Sequence, residues 1–300
     1  MVLSSRLVEV EMIELGKYRR FRKVIERQLL PNQAYTLPSL SSVKVSVIIP
    51  AMNEAKNLPH VLPRIPTWVH EVILVDGNSK DDTIEVACRV WSGIRVVTQR
   101  GRGKGAALRS GFEAATGDII VMLDADGSTD PAEIPAFVGA LMTGADFAKG
   151  SRFLQGGGTA DMQLYRRLGN LFFTVLVRTL FGQKYSDLCY GYNAFWARVL
   201  PQLDLDGNGF EIETMMNVRA IYAGLKIAEV PSFEYERIHG TSNLRTIPDG
   251  WRVLKTIFKE RRRYQKQHNL ATQPKATPTR VTSTEADDLA WHLVMMRSKP

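Results

Sequence analysis

Two carboxylates one residue apart at the end of an apolar run are the first residues here able to do chemistry. In IIVMLDADGSTDP, Asp124 and Asp126 flank the small Ala125. Hard oxygen ligands this close together suit Mg²⁺ or Mn²⁺, which can bridge to a diphosphate and neutralise the charge it gains on departure. Acidic turns are common; the position directly after a strand-like run favours ligation over plain solvation.

Further candidates follow other apolar runs. Asp76 closes ILVD of ILVDGNSKDDT, where its carboxylate can accept from a base-ring N–H while Gly77 lets the chain pass close to a ligand. Ser79, Asp81 and Asp82 read as a cap and an acidic first turn of the next helix. Asn53 and Glu54, in PAMNEAKNL, can bond nucleoside hydroxyls or cap the helix they precede. RGRGKGAALRSG puts Arg100, Arg102 and Lys104 among glycines at a helix start, an arrangement able to hold phosphate. It has neither P-loop spacing nor the dinucleotide fingerprint. Arg152 in AKGSRF can clamp a phosphate. In ERIHGTSNL, Arg237 can pair with one and His239 can complete a metal shell, a bland surface loop being the alternative. Glu211 and Glu213 stand two apart in GNGFEIETMM and so do not share a helix face. Glu211 is favoured as the one facing the site.

The elements that must position these residues alternate. β-branched or apolar runs at 44–50, 71–76, 94–98, 119–124 and from 146 read as strands. Helical stretches at 57–65, 81–90, 104–115 and 132–142 lie between them. This pattern implies βαβ units and a largely parallel sheet, whose carboxyl edge is where ligands bind. Beyond about residue 160 the alternation fades. A helix at 162–180 carries more apolar residues than one stripe needs, which fits either burial or an interfacial position. Strands at 190–196 and 226–230 and helices at 211–222 and 251–264 follow. Residues 1–43 read as a helical extension and linker, 44–266 as the catalytic domain, and 267–300 as a disordered tail with a candidate docking helix at 289–296.

Bulk properties narrow the classes. The chain has 300 residues, two cysteines (Cys88 and Cys189) and a net charge of +8, too few thiols for a disulfide framework. No secretory signal or membrane-long apolar run is visible. Basic clusters at 17–27 and 252–266 can attract anionic lipid or nucleic acid, or can simply be solvated.

Taken in order, VSVIIPAMNE, ILVDGNSKDDT, RGRGKGAALRSG, GDIIVMLDADGSTDP, the GSR at 150–152 and RIHGTSNL resemble the inverting family 2 glycosyltransferases of GT-A fold. They are most similar to the branch making dolichyl- or polyprenyl-phosphate sugars, over residues 44–262. The resemblance implies an α/β fold with a Rossmann-like, mostly parallel central sheet, flanking helices, and amphipathic helices in the C-terminal half. It implies that Pro50, Asn53, Glu54 and Asp76 line the nucleoside pocket. Asp124 and Asp126 would engage the diphosphate through Mg²⁺ or Mn²⁺, and Arg152 and Arg237 would face phosphate with Ser242 beside them. The family's second sheet-edge aspartate is Gly77 here, and its lysine after the serine is Asn243.

The expected reaction moves glucose or mannose from a UDP- or GDP-sugar to a polyprenyl or dolichyl phosphate with inversion, at an anionic membrane surface on the cytoplasmic side. The lipid reading draws on the 162–180 helix and the basic clusters. Its rival is transfer to a hydroxyl of a saccharide or small molecule, which requires a general base, with Glu211 as candidate. A nucleotidyltransferase would release pyrophosphate instead. A nucleic-acid-binding protein would leave the aligned carboxylates unexplained, so no nucleic acid partner is expected. Self-association is left open.

Overall fold

The computed structural model describes residues 43–183, 185–241 and 244–272. The remaining parts of the N-terminal extension and the C-terminal tail, with Ser242 and Asn243, lie outside the described residues. The expected strands form as β1 (Val45–Ala51), β2 (Glu71–Asp76), β3 (Arg95–Thr98), β4 (Ile119–Met122) and β5 (Phe147–Ser151). After the short β6 (Gly158–Thr159) come β7 (Asn193–Trp196), β8 (Ile227–Pro231) and β9 (Phe233–Glu234). The principal helices are α1 (Thr83–Val90), α2 (Lys104–Ala114), α3 (Ile134–Met142), α4 (Leu164–Phe181), α5 (Glu211–Tyr222) and α6 (Thr246–Thr272). The stretch expected as one helix at 57–65 is instead a turn of α-helix, Leu58–Val61, followed by a 3₁₀ turn, Leu62–Arg64.

Seven strands make one sheet in the order β3-β2-β1-β4-β7-β5-β8, and β6 pairs with β9 in a second, two-stranded sheet. Pairing is parallel except where β7 runs antiparallel between β4 and β5. The fold is therefore the α/β, mostly parallel arrangement expected. β1, β2 and β4 read as unbroken apolar runs because helices cover both faces. On one face Val47, Ile49, Leu74 and Val121 pack with Leu58, Val86 and Phe137. On the other, Ile48, Ile73, Ile120 and Met122 meet Leu108, Phe112, Ile212 and Met216. A third cluster, around Val177, Tyr185, Val218, Val253 and Ile257, joins α4, α5 and α6.

This topology creates the site. From β1 the chain builds outward through β2 and β3, then returns to place β4 on the opposite side of β1. The reversal opens a crevice beyond the carboxyl ends of β1 and β4. Residues 51–54 and 124–126 emerge into it.

Close approach of α2 to the sheet depends on Gly111. A Cβ there would lie 2.4 Å from Ile48 Cγ2 and 2.9 Å from Val75 Cγ2. Gly111→Ala gains helix propensity but overpacks the core, so a net loss of about 1–3 kcal/mol is expected. Urea unfolding checks this, and an unchanged or raised midpoint would contradict it.

Candidate active site

Leu123 still donates its N–H to Ile48 O across the sheet, at 3.0 Å, so the chain leaves the sheet only at Asp124. Asp126 is held by its own turn, its Oδ1 accepting from the Ser128 N–H at 2.9 Å and hydroxyl at 2.6 Å. Its Oδ2 meets Arg237 Nη2 at 2.6 Å, and Arg237 Nη1 reaches Glu54 Oε1 at 2.9 Å. One guanidinium thus ties the loop after β9 to the ends of β1 and β4. Burial pushes the Glu54 carboxyl above its ordinary value, against the opposing hydrogen bonds of Asn57 and Arg237.

Lys104 forms the second couple. Its Nζ lies 2.7 Å from Asp124 Oδ1 and 2.8 Å from Glu213 Oε1. Burial opposes the ammonium charge, yet the two carboxylates hold the group well above its ordinary value. The backbone around it behaves otherwise than expected. The N–H groups of Gly105 and Ala106 donate to Asn208 O at 2.8 and 3.2 Å, so these amides bind loop backbone and not phosphate. Gly105 is required for that contact, since a Cβ would sit 2.5 Å from Gly207 O. Of this basic segment, Lys104 lines the cleft.

Arg152 is the third centre. Its guanidinium grips Asp187 through Nε at 2.7 Å and Nη2 at 2.9 Å, and Glu234 through Nη1 at 3.0 Å. Burial favours a neutral Asp187, but Arg152 overrides it and holds that carboxyl below its ordinary range. Arg152 lines the cleft and, already paired with two carboxylates, acts as a clasp within its wall. The Cys189 thiol, also on that wall, is pushed up to about 12 by burial and the Asp187 charge, which leaves it protonated and unreactive.

Other expected residues serve their own loops. Asp76 accepts from the N–H groups of Asn78 and Ser79, at 3.0 and 3.2 Å, inside its own turn. Asn53 Oδ1 accepts from the Lys80 N–H at 2.7 Å. Pro50 and Glu54 line the cleft, whereas Asp76 and Asn53 are not among its lining residues. Glu211 Oε1 accepts from the N–H groups of Asn208 and Gly209, at 3.1 and 2.9 Å, and caps the loop that feeds α5. Two residues on, Glu213 points into the cleft. The His239 ring sits 5.7 Å from the His60 ring, while its carbonyl accepts from Asn57. Among the described residues no group of three or more His, Cys, Asp or Glu is placed to hold a metal ion.

The cleft has a volume of about 490 Å³. Its donor end is lined by Pro50, Glu54, Gly77, Gln99, Lys104, Asp124 and Asp126, and its far end by Tyr165, Arg166, Asn170, Phe173, Tyr190 and Val253. Sequence reasoning weighed Glu213 but favoured Glu211, and it missed Gln99, Arg166, Asp187 and Glu234. A usable signal existed for Glu213, which stands among the buried Ile212, Met215 and Met216 and there demands a cationic partner. Arg166 differs from the other cations. The carboxylate paired with it, Asp161, is 4.0 Å away, and its buried Nε makes no hydrogen bond.

Six carboxylates (Glu54, Asp124, Asp126, Asp187, Glu213, Glu234) thus share the three tightly paired cations, Lys104, Arg152 and Arg237. That excess of negative charge fits a divalent cation. Such an ion needs only one or two protein carboxylates when a diphosphate and water complete its shell, and Asp124 and Asp126 offer them.

The glycosyl transferase family 2 profile matches residues 46–203. The chain belongs to this family. It is a nucleotide-sugar-dependent glycosyltransferase of the GT-A type. It is 33% identical over 213 residues to a dolichol-phosphate mannosyltransferase of Pyrococcus furiosus, covering 68% of this chain and 60% of that protein. To a polyprenol monophosphomannose synthase of Mycolicibacterium smegmatis it is 32% identical over 227 residues, covering 71% and 84%. Among solved structures it resembles glucosyl-3-phosphoglycerate synthase of Mycobacterium tuberculosis bound to phosphoglyceric acid. There the TM-score is 0.59 and the identity 26%, over 76% of this chain and 85% of that one. The same enzyme with Mn²⁺, UDP and glucosyl-3-phosphoglycerate matches at TM-score 0.59 and 24% identity, covering 77% and 86%.

These structural matches correct the expected acceptor. The enzyme they capture is bound to phosphoglyceric acid or glucosyl-3-phosphoglycerate, not to a polyprenyl or dolichyl phosphate. Arg152 and Arg237, expected to face donor or acceptor phosphate, are each shared between two carboxylates. No helix among the described residues is long and apolar enough to cross a membrane. It is the structural matches that contradict the expected lipid-phosphate acceptor and anionic membrane surface.

Because Asp187 is buried with its charge, Arg152→Met should cost about 3–5 kcal/mol at neutral pH. A depressed folded pKa contributes stability that is present above the unfolded value and lost as pH falls through the folded one. The gap between wild type and variant should therefore narrow in acid. Denaturant titrations at about pH 7 and about pH 4 measure it, and a gap that widens in acid would contradict the assignment.

Proposed function

We propose that the glycosyltransferase moves a sugar from a UDP-sugar to a hydroxyl of a small anionic acceptor, with Mg²⁺ or Mn²⁺ at Asp124 and Asp126. The observation that carries this reading is a single cleft running from the carboxyl ends of β1 and β4 to Arg166, the cation with the weakest carboxylate partner. In support, the resembling M. tuberculosis enzyme is seen with Mn²⁺, UDP and glucosyl-3-phosphoglycerate. The Pyrococcus relative is longer than this chain's match to it.

The divalent ion supplies charge neutralisation for the departing diphosphate. Asp126, fixed by Ser128, orients its share of that site, and Lys104 is placed to donate to a diphosphate oxygen. Pro50, Glu54, Gly77 and Gln99 enclose the nucleoside end. At the far end Arg166 takes the acceptor's anionic group and so aims a neighbouring hydroxyl along the cleft. As that oxygen bonds to the anomeric carbon, the bond from that carbon to the phosphate oxygen breaks and UDP departs with its electron pair. Glu213, not Glu211, is the carboxylate in the cleft able to accept the hydroxyl proton once Lys104 turns to the diphosphate. Proton removal by a placed carboxylate is worth about 10²–10⁴ in rate.

The test is turnover with UDP- and GDP-sugars, Mn²⁺ or Mg²⁺, and hydroxyl acceptors with and without a phosphate or carboxylate. Release of UDP with a glycosylated anionic acceptor is expected, and Asp126→Ala should reduce it by roughly a hundredfold or more. Transfer to neutral acceptors alone would refute the anion requirement, and no transfer to any of them would refute the reading. Arg166→Ala should raise KM for the anionic acceptor about ten- to a hundredfold, the worth of one charge-assisted hydrogen bond. UDP affinity should stay unchanged; a variant losing both would point to a collapsed cleft.

A further inference from the structure

Lys149 is a buried cation to which the reaction described above gives no part. It stands in the middle of β5, 0% exposed, and its Nζ donates to Tyr190 O at 2.8 Å and Gly150 O at 3.1 Å. A buried ammonium ordinarily has a carboxylate beside it, whereas these two bonds go to carbonyls. Burial pushes the ammonium below its ordinary value, and Arg152 adds to that, against the charges of Asp187, Glu213 and Glu229. A methionine would fill the same space without a buried charge, so the reason for a lysine lies in what it holds.

It holds a turn. Residues 190–192 belong to no helix or strand, yet each of their carbonyls has a donor. Lys149 Nζ donates to Tyr190 O, Asn193 Nδ2 to Gly191 O at 3.2 Å, and the Gly150 N–H to Tyr192 O at 2.8 Å. Lys149 and Asn193 are register partners of β5 and β7, so their side chains stand together on one face of the sheet. The turn that they pin backs directly onto the reaction site. A Cβ on Gly191 would lie 2.6 Å from Glu213 Oε1 and 3.0 Å from Lys104 Nζ. The Tyr190 ring lines the far end of the cleft, with the Arg152 guanidinium 4.7 Å from its centroid.

We propose that Lys149 is a positioning residue for the transfer step: through the Tyr190 carbonyl it fixes the turn against which Glu213 and the acceptor rest. The inference rests on the reading of Glu213 as proton acceptor. Lys149 acts only through the turn, since its own side chain is not among the residues lining the cleft. The nucleoside end, built from Pro50, Gly77 and Gln99, does not include that turn.

Lys149→Met in the full chain should lower kcat about ten- to a hundredfold and raise the acceptor KM, as expected for a reacting group misplaced by about 1 Å. UDP affinity with Mn²⁺, by isothermal titration calorimetry, should stay within about threefold, a split that general loss of fold would not give. Lys149→Gln keeps an N–H donor one bond shorter and should lose less. Gly191→Ala should fold, because its new Cβ meets only the movable ends of Glu213 and Lys104, and should lower kcat in the same way. Glu213→Gln alone should cost about 10²–10⁴ in kcat, and K149M added to it should cost no more. Full turnover by E213Q would sink the proton-acceptor reading and this inference with it. With E213Q impaired, three results overturn the inference alone: a folded K149M at wild-type kcat, a loss of UDP affinity in parallel with kcat, or a kcat loss on adding K149M that is as large in E213Q as in the wild type. Should neither Lys149 variant fold, G191A decides, and wild-type kcat there overturns the inference.

Discussion

Lys104, an ammonium buried between Asp124 and Glu213, is the contact on which the cleft depends. It joins the end of β4 to the starts of α2 and α5, segments that together span more than a hundred residues of chain. Removing it from water is costly, and two carboxylates within 2.8 Å offset that cost. The same logic repeats at Arg237 and Arg152, so the walls are held by cations each shared between two acids. The arrangement is stable and still short of positive charge, which is the electrostatic condition for receiving a divalent ion with a nucleoside diphosphate.

Capping and catalysis compete for the same residue types, and the structure divides them by position. Glu211, Asp76 and Asn53 turn back on backbone N–H groups of nearby loops. Glu213 and Asp126 reach cations across the cleft. The division follows from which side of a turn or helix each residue occupies. Two residues along a helix rotate a side chain by more than half a turn, so only one of Glu211 and Glu213 can face the site.

The acceptor end illustrates how charge pairing alters a functional reading. An arginine after a strand looks like a phosphate ligand when its partners are unknown. With Asp187 and Glu234 beside it, Arg152 is already paired, whereas Arg166 on α4 has one carboxylate partner at 4.0 Å. The apolar surplus of α4 likewise divides into a buried side that completes the third cluster and an outer side that remains uncovered.

The sequence by itself determined the sheet strands, most helices and the carboxylates at the ends of β2 and β4. Apolar runs ending in acids carry that information locally, within a few residues. It also disclosed the family, because six short motifs follow one another in a set order. What only the tertiary structure decided was pairing. The antiparallel insertion of β7, the occupation of the α2 amides by Asn208, and the sharing of Lys104, Arg152 and Arg237 between distant acids all join segments far apart in the chain. Whether a charged side chain faces a ligand or a buried partner depends on what folds against it, and no local pattern encodes that neighbour.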